Sequence, residues 1–325
     1  MGKYGQFYGQ LFNYKQLKNV DLMRVNSSDL KGDSSSTLSS YTVYFSVLFK
    51  HLDYYFPMTT PLNHVGNAKQ YKNWLVKVPE VTAFFWIIKV LATTVGETFA
   101  DYLNVTLGFG LNGTTLVTIV ALVVALVFQF KSTKYRPSLY WLVVVLISIA
   151  GTLFTDNLTD NLNVSLITTS IIFSITLAIV FIFWHRTEAS LAIHSIYTPR
   201  REAFYWSTIL FTFALGTATG DLFAERLGLG YGLSLIIFST VILVIALAWR
   251  GKFLNPVLAF WAIYVLTRPL GASIGDLLSQ SKKDGGIGLG TTTTSAIFLT
   301  IILGLIVYLT RSRKDTIPLD KALAD

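Results

Sequence analysis

Seven ionisable side chains lie inside otherwise apolar runs of this sequence: Lys89, Glu97, Asp101, Asp156, Asp221, Arg268 and Asp276. A charge at such a position must face protein or water, not hydrocarbon. The four aspartates are regularly placed. Each follows a Trp by fifteen residues and a Gly by five, at Trp86/Gly96/Asp101, Trp141/Gly151/Asp156, Trp206/Gly216/Asp221 and Trp261/Gly271/Asp276. On a helix, the positions seven, eleven and fifteen after each Trp fall on one stripe. The stripe reads Thr93, Glu97, Asp101; then Ser148, Thr152, Asp156; then Phe213, Thr217, Asp221; then Arg268, Ala272, Asp276. Around a common axis it brings four aspartates, Glu97 and the hydroxyls of Thr93, Thr152 and Thr217 towards one pathway. Oxygen donors of this kind suit protons and hard cations, and Glu97 with Asp101 is the pair expected to hold a metal ion.

Lys89 and Arg268 are the two cations at this depth, eight residues before Glu97 and Asp276 respectively. Each has a carboxylate on its own helix and others on neighbouring helices to choose from. As functional groups they are displaceable charges that answer proton or cation binding. As structural groups they neutralise the core, and Arg268, preceding Pro269, can also satisfy backbone freed by a kink.

A Trp, Gly and Asp skeleton that recurs in register marks an internally repeated protein. The repeats span 77–136, 137–198, 199–254 and 255–312, after an extramembrane arm over 1–76 and before a tail over 313–325. With 52% hydrophobic and 14% charged residues and a mean hydropathy of +0.54, the chain is too apolar for a soluble domain. Its net charge of +8 does not call for a nucleic-acid partner, because Lys and Arg sit mainly between apolar runs, where membrane topology explains them. There is no cysteine, which excludes disulfides and thiolate metal sites. MGKYGQ at the N-terminus matches neither a myristoylation signal nor a cleaved leader.

The apolar runs predict eight transmembrane helices, at 82–103, 114–130, 138–158, 164–184, 203–224, 233–249, 257–278 and 292–310, each near the length a bilayer requires. Tyr41 to Phe56 is shorter, carries Lys50, His51 and Asp53, and reads as an interfacial helix. His51, His64, His185 and His194 fall outside all eight spans and share no metal-ligand spacing. The connections on one side hold fourteen Lys and Arg; those on the other hold three, Arg226, Lys282 and Lys283. The positive excess puts both termini in the cytoplasm, and two spans per repeat make the four repeats parallel.

Pro79, Pro137, Pro199 and Pro256 announce the odd-numbered helices, where a missing N–H costs least. All seven charges lie on odd helices. The fold expected is therefore all-α, with odd helices inside, even helices against lipid, and small residues such as Gly96, Gly151, Gly216 and Gly271 allowing close approach. The repeated Trp residues are read as interfacial anchors or packing residues. Glycine pairs after three of the aspartates are turns, not nucleotide fingerprints, since no strand precedes them.

On these residues the chain resembles a family of bacterial membrane proteins built of four tandem two-span repeats with a characteristic tryptophan, described as a repeat of unknown function. The match rests on KVPEVTAFFWIIKVLATTVGETFADYL, on AFYWSTILFTFALGTATGDLFAERLGLGYG and on weaker copies beginning at Tyr140 and Ala259. It covers about residues 77–312, roughly three quarters of the chain. The resemblance implies eight spans in a bacterial cytoplasmic membrane and implies no substrate.

The function expected is transport or export of a small cation, a divalent metal or a proton-coupled ion among the choices, through the stripe and with Lys89 competing with the cargo. The alternative is a non-transporting scaffold or sensor whose buried charges are structural. No enzyme is expected, because HExxH, GxSxG and phosphate-loop motifs are lacking, and no cofactor.

Overall fold

In hydrocarbon the backbone has no hydrogen-bond partner but itself, so long apolar runs resolve into helices. The computed structural model describes residues 76–317. The interfacial helix expected over 41–56, the arm to residue 75 and the tail beyond 317 lie outside the described residues. Among the described residues, eight helices are long and apolar enough to cross a membrane: α1 (Ala83–Asp101), α2 (Gly110–Lys131), α3 (Pro137–Asp156), α4 (Leu166–Glu188), α5 (Pro199–Asp221), α6 (Gly230–Arg250), α7 (Pro256–Ser279) and α8 (Thr291–Ser312). No strand occurs among the described residues.

Side chains set the helix starts. Thr82, Ser165, Thr198 and Asn255 accept hydrogen bonds from first-turn amides of α1, α4, α5 and α7, satisfying donors that have no partner within the helix. Pro137, Pro199 and Pro256 occupy first-turn positions. Pro79 does not, since α1 begins only at Ala83 behind its Thr82 cap. At the other end the helices run further than hydropathy indicates. The last turn of α4 takes in His185 and Arg186, so this histidine belongs to a span after all.

Beyond the repeated Asp, α1, α3 and α5 each continue as one π-helical turn: Tyr102–Thr106, Asn157–Asn161 and Leu222–Arg226. The sequence pattern gave no sign of these turns. They deliver the chain to tight connections where Gly108 and Gly228 take φ of +68° and +67°, and in the second repeat Asn163 takes the left-handed place at +51°. Asn is among the few residues with a side chain that tolerate it. The fourth repeat departs from this plan, for α7 extends to Ser279 and leads into a short 3₁₀ turn at Lys282–Asp284.

The odd helices pack in a closed order, α1 on α3, α3 on α5, α5 on α7 and α7 on α1. The repeat glycine makes each step. Gly96 lies against Ser148, Gly151 against Phe213, Gly216 against Arg268 and Gly271 against Thr93, and a Cβ at any of them would overlap its neighbour. In every case the glycine of one repeat meets the residue seven after Trp in the next. Four equivalent steps that return to their start require the helices to run in the same direction, so the repeats are parallel around one axis. Each even helix then packs on the odd helix of the following repeat: α2 on α3, α4 on α5, α6 on α7 and α8 on α1. The odd spans are 50% to 72% buried and the even ones 11% to 28%, which puts the odd helices inside and the even ones outside.

Gly271→Val is expected to destabilise the fold by about 1–3 kcal/mol, since the interface has no room to adjust without moving Thr93. Gly304→Ala in α8, where an added methyl meets nothing within 4 Å, should be neutral or stabilising by up to about 1 kcal/mol. Thermal unfolding of the two detergent-solubilised variants checks both signs.

Candidate functional site

Because the odd helices share one register, equivalent positions form layers across the axis, each about 6 Å above the last. The layer before the Trp holds Phe85, Tyr140, Tyr205 and Phe260. Above it come Lys89, Val144, Ile209 and Tyr264; then Thr93, Ser148, Phe213 and Arg268; then Glu97, Thr152, Thr217 and Ala272; and last the four aspartates. The three middle layers are buried throughout, with Glu97 the most exposed member at 8%. Asp101, Asp156 and Asp221 are half-buried. The ring is therefore wetter at the Asp end and closed at the Trp end.

The closure is aromatic. Tyr140 and Tyr205 share a hydroxyl–hydroxyl hydrogen bond of 2.5 Å, and Phe85 packs on Trp86, Trp141, Phe260 and Tyr264 with ring centroids 5.1 to 6.3 Å apart. Trp141, Trp206 and Trp261 are buried, and the Trp261 indole donates to the Leu191 carbonyl at 3.0 Å. Of the two roles expected for the repeated Trp, these three serve packing.

The sequence-predicted residues do converge. Asp101 and Asp156, Asp156 and Asp221, Asp221 and Asp276, and Asp276 and Asp101 all interact electrostatically, and each of the four also interacts with Glu97. The four aspartates thus lie in one layer within electrostatic reach of Glu97 in the layer below. Below them Arg268 ties the bundle together. Its Nη2 donates to Glu97 Oε2 at 2.7 Å and to the Thr152 hydroxyl, and its Nη1 donates to the Thr93 carbonyl at 3.4 Å. Arg268 is 0% exposed. Of the partners open to it, Arg268 takes the neighbouring helix's Glu97, and the carbonyl it meets belongs to α1, not to the backbone freed by Pro269. Thr93 uses its hydroxyl on helix contacts, donating to the Val90 and Thr267 carbonyls; Thr217 donates to Phe213 of its own helix.

Lys89 behaves differently. It is 1% exposed, and among the described residues its Nζ has no hydrogen-bond partner. The Nζ lies over two rings instead, 3.8 Å from the Phe213 centroid and 4.2 Å from that of Tyr264. Among the described residues no three Asp, Glu or His side chains are grouped to hold a metal ion. Glu97 and Asp101, the pair expected to do so, lie one turn apart on α1 with Glu97 engaged by Arg268.

Reasoning from sequence missed three features. Phe213 and Tyr264 are the partners of Lys89, and the signal was their occupation of the layers at and above Lys89's own in other repeats. A second buried ion pair, Lys77 Nζ to Glu202 Oε2 at 2.7 Å, sits at the Trp end, where Gln129 Nε2 also donates to Glu202 at 3.0 Å. At the same end the Tyr135 hydroxyl donates to Asp315 at 2.5 Å. Burial pushes the Asp315 carboxyl above its usual range, while this hydrogen bond draws it back.

With the geometry described, comparison with known proteins is informative about the repeat. A family model described as a repeat of unknown function matches residues 84–135, 139–190, 204–251 and 259–315, well over half of the chain. The chain belongs to this family. It is a multi-pass membrane protein of four such repeats. No curated protein and no solved structure matches it.

Removing one partner of a buried ion pair leaves an uncompensated charge and costs roughly 3–5 kcal/mol, whereas replacing both by apolar groups is often neutral. Glu97→Met alone should therefore destabilise strongly, and Glu97→Met combined with Arg268→Met should recover much of the loss. A double-mutant cycle on thermal unfolding in detergent measures this; additive losses would mean that the two side chains are not coupled.

Proposed function

We propose that this protein is a secondary transporter of a small cation, which enters at the Asp end of the odd-helix ring and meets Glu97 and Arg268 as its gate. One observation supports this reading above the rest: five carboxylates converge on one axis inside a helical ring that is wetter at one end and shut by aromatic side chains at the other. Charge is expensive at membrane depth and marks ion or proton pathways more often than packing does. The carboxylate ring concentrates cations at the mouth. Glu97 then exchanges Arg268 for the cargo, and Lys89 is the resident charge that returns when the cargo leaves. No cofactor and no chemical conversion enter this scheme.

The excess of Lys and Arg in the connections at the Trp end favours placing that end, and both termini, in the cytoplasm. The Asp end then faces outward, and the bacterial cytoplasmic membrane is the location that the family resemblance favours.

A scaffold or sensor is the second reading, favoured by the Arg268–Glu97 pair, whose satisfied geometry serves a purely structural role equally well. Asp156→Asn together with Asp221→Asn separates the two, because these half-buried aspartates can be altered without opening the ion pair. Purified protein in proteoliposomes with an internal pH dye is challenged with Na⁺, Mn²⁺ and methylammonium. The transporter reading expects a response to at least one cation that falls about tenfold or more in the double variant, with thermal stability retained. No response from the wild-type protein to any cation, or an unchanged response in the variant, favours the scaffold.

A further inference from the structure

The chemistry around Lys89 narrows the class of cation. Its ammonium occupies a cage whose walls come from three repeats: Lys89 itself from α1, Phe213 from α5 across the ring and Tyr264 from α7. Two ring faces within 4.2 Å of one nitrogen, and no hydrogen-bond acceptor on it among the described residues, make a site held by the aromatic quadrupole. Hard metal ions fit such walls poorly. A divalent ion exchanges its hydration shell for six or more oxygens, and no grouping of three acidic or histidine side chains is placed to supply them among the described residues. Ammonium groups are recognised by aromatic faces, because they are weakly hydrated and polarise the ring without needing oxygen ligands.

Arg268 also approaches the Phe213 ring, at 6.0 Å from its centroid, but its charge is matched by Glu97 at 2.7 Å. Lys89 has no such partner. The cage therefore accommodates one amine nitrogen at a time, and in the structure that nitrogen is the protein's own.

We propose that the cage of Phe213 and Tyr264 is a binding site for a small primary ammonium ion, for which Lys89 is the tethered stand-in. This rests on the carrier reading and names its cargo as an alkylammonium and not a metal. Lys89 is itself a primary alkylammonium, so the site already fits the head group and the first methylenes of a short amine. The carboxylates at the Asp end gather the cation, and as it enters the cage the displaced Lys89 releases its proton to one of them, which keeps the number of buried positive charges constant. That constancy is what a low-dielectric core favours.

The test is a thermal-unfolding titration of the detergent-solubilised full chain with methylammonium chloride, set against NaCl, MgCl₂ and MnCl₂ at matched ionic strength. A ligand that binds only the folded form raises the unfolding temperature saturably. The expected result is such a rise with methylammonium alone. In Lys89→Ala, where no resident ammonium competes, the half-saturating concentration should fall by about tenfold or more. In Phe213→Leu the rise, measured from that variant's own baseline, should vanish. A saturable response to Mg²⁺ or Mn²⁺ in place of methylammonium, no response from the wild-type protein, or an unchanged response in Phe213→Leu overturns the proposal. If Lys89→Ala does not fold, the wild-type and Phe213→Leu titrations decide alone. Methylammonium binding without flux in proteoliposomes would defeat the carrier reading and leave the cage; flux of another cation without amine binding would do the reverse.

Discussion

The contact between each repeat glycine and the residue seven after Trp in the next repeat is the constraint on which the rest of the structure depends. With hydrocarbon outside, apolar burial gives helices little reason to associate, so close packing must supply the attraction. Gly96, Gly151, Gly216 and Gly271 permit that approach because each lacks the carbon that would overlap its neighbour. The same step taken four times fixes the order of the odd helices, their common direction and the inward aim of the stripe four and eight residues further on. Each even helix, lying on the odd helix of the following repeat, interlocks the repeats.

A symmetric frame with unsymmetric contents follows. The glycine contact puts Ser148, Phe213, Arg268 and Thr93 at equivalent places, yet their chemistry could hardly differ more. One guanidinium therefore reaches α1 through Glu97 and Thr93, α3 through Thr152 and lies near α5 through Phe213. A single side chain on the fourth helix thus meets the other three. On the adjacent α1, Lys89 finds only ring faces. Had the repeats stayed identical, four arginines would share one fully buried layer, a far costlier arrangement than four aspartates at the half-buried end. Divergence is the condition under which this axis can contain cations at all.

Much of this was legible in the sequence. The fifteen-residue interval from Trp to Asp carried the repeat, hydropathy carried the spans, and the restriction of Lys89, Arg268 and the carboxylates to odd helices carried the inside-outside division. What stayed hidden was choice among near-equivalent partners. Arg268 lies two layers below Asp276 and one layer below Glu97, but the sequence does not say which helices are neighbours across the ring; the geometry selects Glu97. Lys89 meets residues from the third and fourth repeats, a relation that appears only when layers are compared across all four copies. Glu202 falls one residue short of the apolar run that begins at 203, and Lys77 counts equally well as a topological charge, so nothing in the chain advertised their buried pair. The π-helical turns after Asp101, Asp156 and Asp221 leave no mark on hydrophobic periodicity, because each occupies a single turn at the end of a span.

The two ends of the ring are built from different kinds of interaction, and this bears on how a carrier of this form would work. At the Asp end the layer consists of four carboxyl groups, three of them half-buried. At the Trp end the closure combines packed aromatic rings, the buried Tyr140–Tyr205 hydrogen bond and the buried Lys77–Glu202 pair. Opening the second end means exposing both an ion pair and a large aromatic surface, whereas the first already presents half-buried polar groups. The state seen is the one closed at the Trp end. Passage to the other side needs a step that weakens the aromatic closure, and Lys89 is placed to link the two, since Tyr264, one of its two ring partners, packs directly on Phe85, Phe260 and Trp261 of that closure. An ammonium that leaves the Tyr264 face alters the underside of the very layer that has to part.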